Sequence, residues 1–416
     1  MLALKGGPKV RERAWPKWPE HGPEEVAAVT RALESGRWGG FPAPGPEASR
    51  FAQTFAQYVG SPHAVLAANG TVTLKVLLRA LKVGAGDEVI VPALTWTATA
   101  ACAVYVNAVP VFADIDPETL CLDPASVESL ITPKTKAIIP VHLGSAMADL
   151  DALVQLAQRH GLALIEDCAH AHGARWNDRG AGSIGDAGSF SFQSSKLLTA
   201  GEGGAITTRH QELKERCQAL INCGRKEPGY DQFAGPVLGW NDRITELQAA
   251  LLSAQLLRLE DQHQRRAANV AHFQKRLAEL GPGLGLRFQR RDPRITRQTS
   301  YETILLFESA AWKGLSRDRF VDALEAEGVP ADGGFYVPIP DRIDEIFPLN
   351  AREYPEIRAR YGDALRPAQV HCPVAKKVAY EQTVWLHHHL FLGTTADVDD
   401  VVAAIAKIRE GVDALL

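Results

Sequence analysis

Apolar and polar residues follow two periods along this chain. Short apolar runs at 63–68, 88–92, 109–113, 137–141 and 162–165 predict buried strands. Between them, apolar residues recur every three or four positions. Leu74, Leu77, Leu78 and Leu81 share one face of a predicted helix over 72–81, and 98–106 and 150–160 read as two more. Strand and helix alternating at this spacing predict a parallel α/β sheet. Ahead of the sheet, 23–35 reads as a helix with Pro23 in its first turn and Glu24 and Glu25 at its positive end. A second helix, over 47–59, closes at Gly60. The stretch between them, 37–46, holds three Gly and three Pro and reads as loop. Residues 1–22 read as an extended arm, with Trp15-Pro16 and Trp18-Pro19 as anchors against another surface.

Beyond Asp167 the texture changes. Runs at 187–193 and 203–208 predict two strands separated by a loop carrying Ser194-Ser195-Lys196. A long, interrupted helical region follows over 245–278, and Gly281–Gly285 breaks it. The runs 299–307, 317–327 and 384–392 suggest a smaller α+β unit. These patterns divide the chain into an arm (1–22), a large α/β domain (23–280) and a small C-terminal domain (281–416), with no internal repeat.

At 416 residues the chain is too long for one compact core. Its 45 Lys+Arg against 49 Asp+Glu lack the basic excess that nucleic acid or an anionic membrane surface attracts. The N-terminus has no apolar signal core, and no run approaches the roughly 20 apolar residues of a membrane span. Six cysteines with no CxxC pair read as reduced thiols. The expectation is a soluble, cytoplasmic protein.

Ligands of open parallel sheets gather at the carboxyl ends of the strands, and four segments place chemistry there. Asn69-Gly70-Thr71 joins a strand to a helix, either as a simple cap or as a phosphate cradle at the helix N-terminus. Glu166-Asp167 closes a strand, either as a buried hydrogen-bonding anchor or as the partner of a bound cation, such as the protonated ring nitrogen of pyridoxal phosphate. Lys196 follows a strand and precedes Gly201-Glu202-Gly203-Gly204. It is either a solvated surface charge or a desolvated amine suited to Schiff-base chemistry. Ser191 stands five residues before it, within reach of the same phosphate. Trp96 offers a flat face for a ring, or simply packs in the core. Two patterns mislead. Gly180-Ala-Gly182-Ser-Ile-Gly185 fits GxGxxG but precedes a strand, whereas a dinucleotide fingerprint follows one and opens a helix. His387-His388-His389 resembles a metal cluster, but neighbours in a strand alternate faces and no carboxylate or cysteine stands at ligand spacing, so no metal is expected. Substrate contact or core hydrogen bonding suits one of them, His388, better.

Taken in order, these residues resemble the DegT/DnrJ/EryC1/StrS aminotransferases of the fold-type-I pyridoxal phosphate (PLP) enzymes. The likeness covers nearly the whole chain. It rests on Asn69-Gly70-Thr71, Gly86-Asp-Glu-Val-Ile-Val-Pro92, Thr95-Trp96-Thr-Ala-Thr99, Pro140-Val-His142, Glu166-Asp-Cys-Ala-His-Ala-His-Gly173, Ser189-Phe-Ser-Phe192, Lys196 with Thr199-Ala-Gly-Glu-Gly-Gly204, and Asn241-Asp-Arg243. It implies a large, mainly parallel sheet domain, a smaller α+β domain and a homodimer with shared active sites. By the same resemblance, Lys196 is the Schiff-base lysine, Asp167 the partner of the pyridine nitrogen and Trp96 the ring-stacking residue. Gly70, Thr71 and Ser191 hold the phosphate, together with Asn241 of a neighbouring subunit. His170 stands where many members carry Gln, beside the cofactor's phenolic oxygen, and a neutral imidazole N–H donates the same bond.

Segments of the chain also resemble two subgroups. Cys168-Ala-His-Ala-His-Gly-Ala-Arg-Trp176 and Val384-Trp-Leu-His-His388 are similar to 3-amino-5-hydroxybenzoate synthases. Trp15-Pro-Lys-Trp-Pro-Glu-His21, Leu94-Thr-Trp-Thr-Ala-Thr-Ala100 and Arg297-Gln-Thr299 are similar to glutamine-dependent scyllo-inosose aminotransferases. The function implied is transfer of an amino group from glutamine or glutamate to a keto-cyclitol or keto-sugar, with Arg297 binding the donor's carboxylate. The alternatives are loss of water from an aminocyclohexenone, a nucleotide-sugar aminotransferase, and a non-catalytic PLP-binding sensor.

Overall fold

The computed structural model describes residues 1–342, 355–361 and 370–416. Its first half runs α1 (Pro23–Glu34), α2 (Pro46–Val59), β1 (His63–Ala67), α3 (Gly70–Ala80), β2 (Glu88–Pro92), α4 (Ala98–Tyr105), β3 (Val109–Ala113), α5 (Pro124–Leu130), β4 (Thr135–Ile138), α6 (Leu150–His160) and β5 (Ala163–Asp167). The short β6 (Arg175–Trp176) and β7 (Arg179–Gly180) lead to β8 (Ala187–Ser191), β9 (Gly204–Thr208) and α7 (Gln211–Ile221). The main sheet has the order β1-β9-β8-β5-β4-β2-β3. β9 is antiparallel to both its neighbours, and the other pairs are parallel. Six strands therefore point one way and bring their carboxyl ends to one edge. β2 and β3 are buried at every position, as a sheet covered on both faces requires.

The fold is the expected α/β class, with several local differences. β4 stops at Ile138, because Pro140 has no N–H to continue the ladder. β5 runs on to Asp167, so both acids belong to the strand. The predicted interruption of the long helix is absent: α8 (Glu246–Glu279) is one helix of 34 residues. It contains neither Gly nor Pro and opens on a reciprocal Thr245–Gln248 cap.

The second unit contains β10 (Leu286–Phe288), β11 (Ile295–Arg297), β12 (Glu302–Phe307), α9 (Arg317–Ala326), β13 (Thr383–His387) and the helix Thr395–Glu410. β10, β12 and β13 form one sheet, whereas β11 pairs with β6 beside the large sheet. The strand expected over 384–392 ends at His387. Its partner β12 begins at Glu302, directly opposite, so beyond it the backbone turns into a 3-10 helix at His388–Leu392.

The boundary near 280 is not a clean cut. Phe273 and Leu277 of α8 belong to the second core, while Ile339, Ile357, Cys372 and Val378 pack into the first. The arm is fastened to this same chain. Leu2 lies in the second core, Trp15 Nε1 donates to Gly328 O at 2.8 Å, and the buried Arg11 pairs with Asp397 and Asp400. Among the described residues no helix is long and apolar enough to cross a membrane.

Candidate active site

A cavity of about 480 Å³ opens at the carboxyl edge of the sheet. Its floor is built by α3. Asn69 caps that helix, its Oδ1 accepting from Val72 N at 2.9 Å, and the first N–H groups, on Gly70 and Thr71, still face the opening without intrahelical acceptors. Asn69 is thus a cap, and Gly70 and Thr71 remain free for an anion. A Cβ at Gly70 would lie 2.7 Å from Ser191 Cβ, so only glycine lets β8 approach the helix start and bring the Ser191 hydroxyl beside it.

The two acids at the end of β5 divide the roles that the sequence left open. Glu166 is fully buried and accepts from Gly182 N, Ile184 N, Gly185 N and His142 Nε2. The GxGxxG stretch therefore holds a side chain of its own chain. Burial pushes the Glu166 carboxyl up, but His142 and the backbone N–H groups outweigh it and leave it below the ordinary range. His142, Glu166 and Cys168 stand close enough to suggest a metal centre. Yet Glu166 is filled with donors, His142 Nδ1 accepts from Ala148 N, and the Cys168 thiol donates to Glu166 O, so hydrogen bonds account for the cluster. Asp167 faces the cavity instead. It accepts from Thr99 Oγ1 at 2.9 Å and Ala169 N at 3.2 Å, and burial raises it despite these donors and Lys196. A cationic ring N–H would reverse that penalty.

Lys196 is half-buried, and its Nζ lies 4.3 Å from the centroid of the Tyr301 ring. Burial lowers its amine to about 8, against the pull of Asp167 and Glu302. His170 stacks on Tyr301 at 4.0 Å, accepts from Gly144 N through Nδ1 and meets Tyr336 Oη through Nε2 at 3.1 Å. Burial, then Lys196, keeps the imidazole neutral, and the Gly144 bond puts its proton on Nε2. Trp96 is exposed across the cavity, 6.5 Å from the Tyr336 ring.

Gly70, Thr71, Trp96, Asp167, His170, Ser191 and Lys196 thus all line one cavity, as expected. Three other residues lie outside its lining. Asn241 is exposed and bridges Asn222. Arg297, expected at the donor's carboxylate, sits on β11 paired with Glu260 of α8, because the β6 partnership carries that strand away from the opening. His388, expected at the substrate, is buried behind the lysine loop, with Nε2 on Ser195 O. Sequence reasoning missed Tyr301, Phe335 and Tyr336. The Gly333-Gly334 pair before Phe335 was the only local hint of a turn bringing aromatics to a site.

A profile of the DegT/DnrJ/EryC1/StrS aminotransferase family matches residues 19–406. The chain belongs to this family. It is 48% identical over 415 residues, covering 100% of this chain and 99% of the relative, to a protein of Streptoalloteichus tenebrarius provisionally named L-glutamine:3-amino-2,3-dideoxy-scyllo-inosose aminotransferase. It is 42% identical over 431 residues, with 99% and 98% covered, to the L-glutamine:2-deoxy-scyllo-inosose aminotransferase of Streptomyces fradiae. Among solved structures it resembles 3-amino-5-hydroxybenzoic acid synthase, with a TM-score of 0.81 and 33% identity over 95% of this chain and 99% of that one. The DegT/DnrJ/EryC1/StrS aminotransferases use PLP, and the cavity suits it: unpaired N–H groups for a phosphate, a buried carboxylate for a ring nitrogen, and a softened lysine for an aldehyde.

Proposed function

We propose that this chain is a PLP-dependent aminotransferase that moves an amino group from L-glutamine to a ring ketone of a cyclitol. The observation that carries the reading is Lys196, an amine lowered to about 8 and opening into the cavity that also contains Asp167 and the start of α3. The two scyllo-inosose relatives, closer in identity than the hydroxybenzoate synthase, support the cyclitol acceptor and the glutamine donor.

Bound here, PLP supplies an electron sink that stabilises the charge left when a proton departs the amine-bearing carbon. Gly70 N, Thr71 N and Ser191 Oγ would bind the phosphate, and Trp96 would cover one face of the ring. Asp167 would hold the proton on the ring nitrogen, with Thr99 fixing the carboxylate's orientation. Lys196 Nζ would hold the aldehyde and, when free, would carry the proton between the two carbons that flank the transferred nitrogen. The neutral His170 would present its Nε2–H beside the phenolic oxygen. Asn241, exposed and outside the lining of its own cavity, would in a homodimer complete the phosphate site of the neighbouring subunit.

Visible absorption of the PLP-loaded protein tests this. L-Glutamine is expected to abolish the visible band, and 2-deoxy-scyllo-inosose or its 3-amino-2,3-dideoxy counterpart to restore it. A protein that acquires no such band with PLP would overturn the reading. A band unmoved by any amine donor would leave a PLP-binding sensor, and an aromatic amine formed from an aminocyclohexenone would make it a dehydratase.

A further inference from the structure

The loop carrying Lys196 is held from behind by groups that belong neither to its strand nor to the cavity. Trp18 of the arm donates Nε1–H to Ser194 O at 2.9 Å. His388, from the 3-10 turn after β13, meets Ser195 O through Nε2 at 3.0 Å. The two rings pack edge to face, 4.6 Å between centroids. Behind them Arg266, a buried residue of α8, places Nη2 3.1 Å from His388 Nδ1 and its guanidinium carbon 5.1 Å from the Trp18 ring.

These partners leave one form of the imidazole. A guanidinium only donates, so Nδ1 must accept; a carbonyl only accepts, so Nε2 must carry the proton. Burial and the Arg266 charge both disfavour a second proton on His388, which agrees with that single tautomer. On its other side the same loop meets the cavity wall: Ser195 Oγ lies 2.9 Å from Tyr301 Oη, and Tyr301 presents its ring to Lys196 Nζ. Two distant parts of the chain, backed by Arg266 from a third, thus meet on consecutive carbonyls next to the reactive lysine.

We propose that Trp18 and His388 form a two-point clamp that positions Lys196 by holding the carbonyls of Ser194 and Ser195. His388 is then a positioning residue rather than a substrate contact, and the arm is part of the catalytic apparatus. The proposal rests on the role given to Lys196 above. Reach explains why the clamp matters: a displacement of about 1 Å at a reacting atom costs on the order of a hundredfold in rate.

The test compares Trp18→Phe, which keeps the ring but loses the donor, His388→Leu, which removes the imidazole, and His388→Gln, whose amide N–H falls near the position of Nε2. Trp18→Phe and His388→Leu are each expected to lower kcat about five- to tenfold, the value of one lost hydrogen bond, with KM for glutamine and for the ketone unchanged. The cofactor-free forms of both should develop the visible band with PLP more slowly by a similar factor. His388→Gln should recover most of both losses. A raised KM with unchanged kcat would make His388 a substrate contact and overturn the clamp. Lowered melting temperatures with wild-type kinetics and band formation would overturn it too, leaving a structural role. Should His388→Leu fail to fold, Trp18→Phe and His388→Gln still decide. A wild-type protein that forms no band fails the functional reading instead, so the two failures are distinguishable.

Discussion

Lys196 in the folded chain releases its proton near 8 rather than at the ordinary 10.5. About one amine in ten is then neutral at pH 7, against roughly one in three thousand for an unperturbed lysine. The same shift costs stability. The unfolded chain keeps this proton up to about 10.5, so between 8 and 10.5 the unfolded state binds more protons and folding gains as pH rises. Lys196→Met removes the buried charge. The cofactor-free variant is expected to melt above the wild type at pH 7, with the gap narrowing toward pH 10, while turnover falls by about 10²- to 10⁴-fold. Melting curves across that range, with one activity assay, check both. At this scale the sequence offered Lys196 as either a surface charge or a desolvated amine, and the burial that lowers it is what separates the two. Tyr301 and Tyr336 were not legible, because a tyrosine at the edge of a strand or after a turn looks like any core aromatic.

The turn after β7 shows what an element does for the site. Gly182, Ile184 and Gly185 aim three backbone N–H groups at the carboxylate of Glu166, and a Cβ at Gly185 would stand 2.5 Å from Leu164 O. That anchor fixes the end of β5 and hence the direction in which Asp167 points. Glu166→Gln would set an amide N–H₂ among these donors at a fully buried position. It is expected to cost about 3 kcal/mol or more in a urea melt, with cofactor binding failing as the strand end loosens. In the sequence these glycines showed only a GxGxxG pattern wrongly placed for a dinucleotide. Their target stayed hidden, because Glu166 and the turn meet only after the chain leaves β5, forms β6 and β7, and returns.

On the scale of the whole molecule, the arm, the long helix and the small domain converge on the lysine loop, while Asn241 lies exposed outside the lining of its own cavity. If two chains share their sites, inactive variants should complement. Mixing equal amounts of Lys196→Ala and Asn241→Ala proteins, unfolded and refolded together, is expected to recover about a quarter of wild-type activity, since half of the dimers then contain one intact site. A mixture no more active than its parts would argue for sites built within one chain. The partition into domains was only half visible. A break near 281 is real in the sequence, yet Phe273 and Leu277 ahead of it pack in the second core, and Ile339, Ile357, Cys372 and Ala379 beyond it pack in the first.

By itself the sequence determined the alternating sheet and the order of its elements. It also pointed to residues that line one cavity, because burial periodicity and strand-end position are local properties that survive without coordinates. Only the tertiary structure decided which acid anchors and which faces the cavity, that the histidine run ends a strand with His387 on Glu302, that Arg297 pairs with Glu260, and that Trp18 and His388 meet behind Lys196. Each of these depends on which side chains from distant segments come within hydrogen-bonding distance. That is fixed by the packing of the whole chain and by no spacing within it.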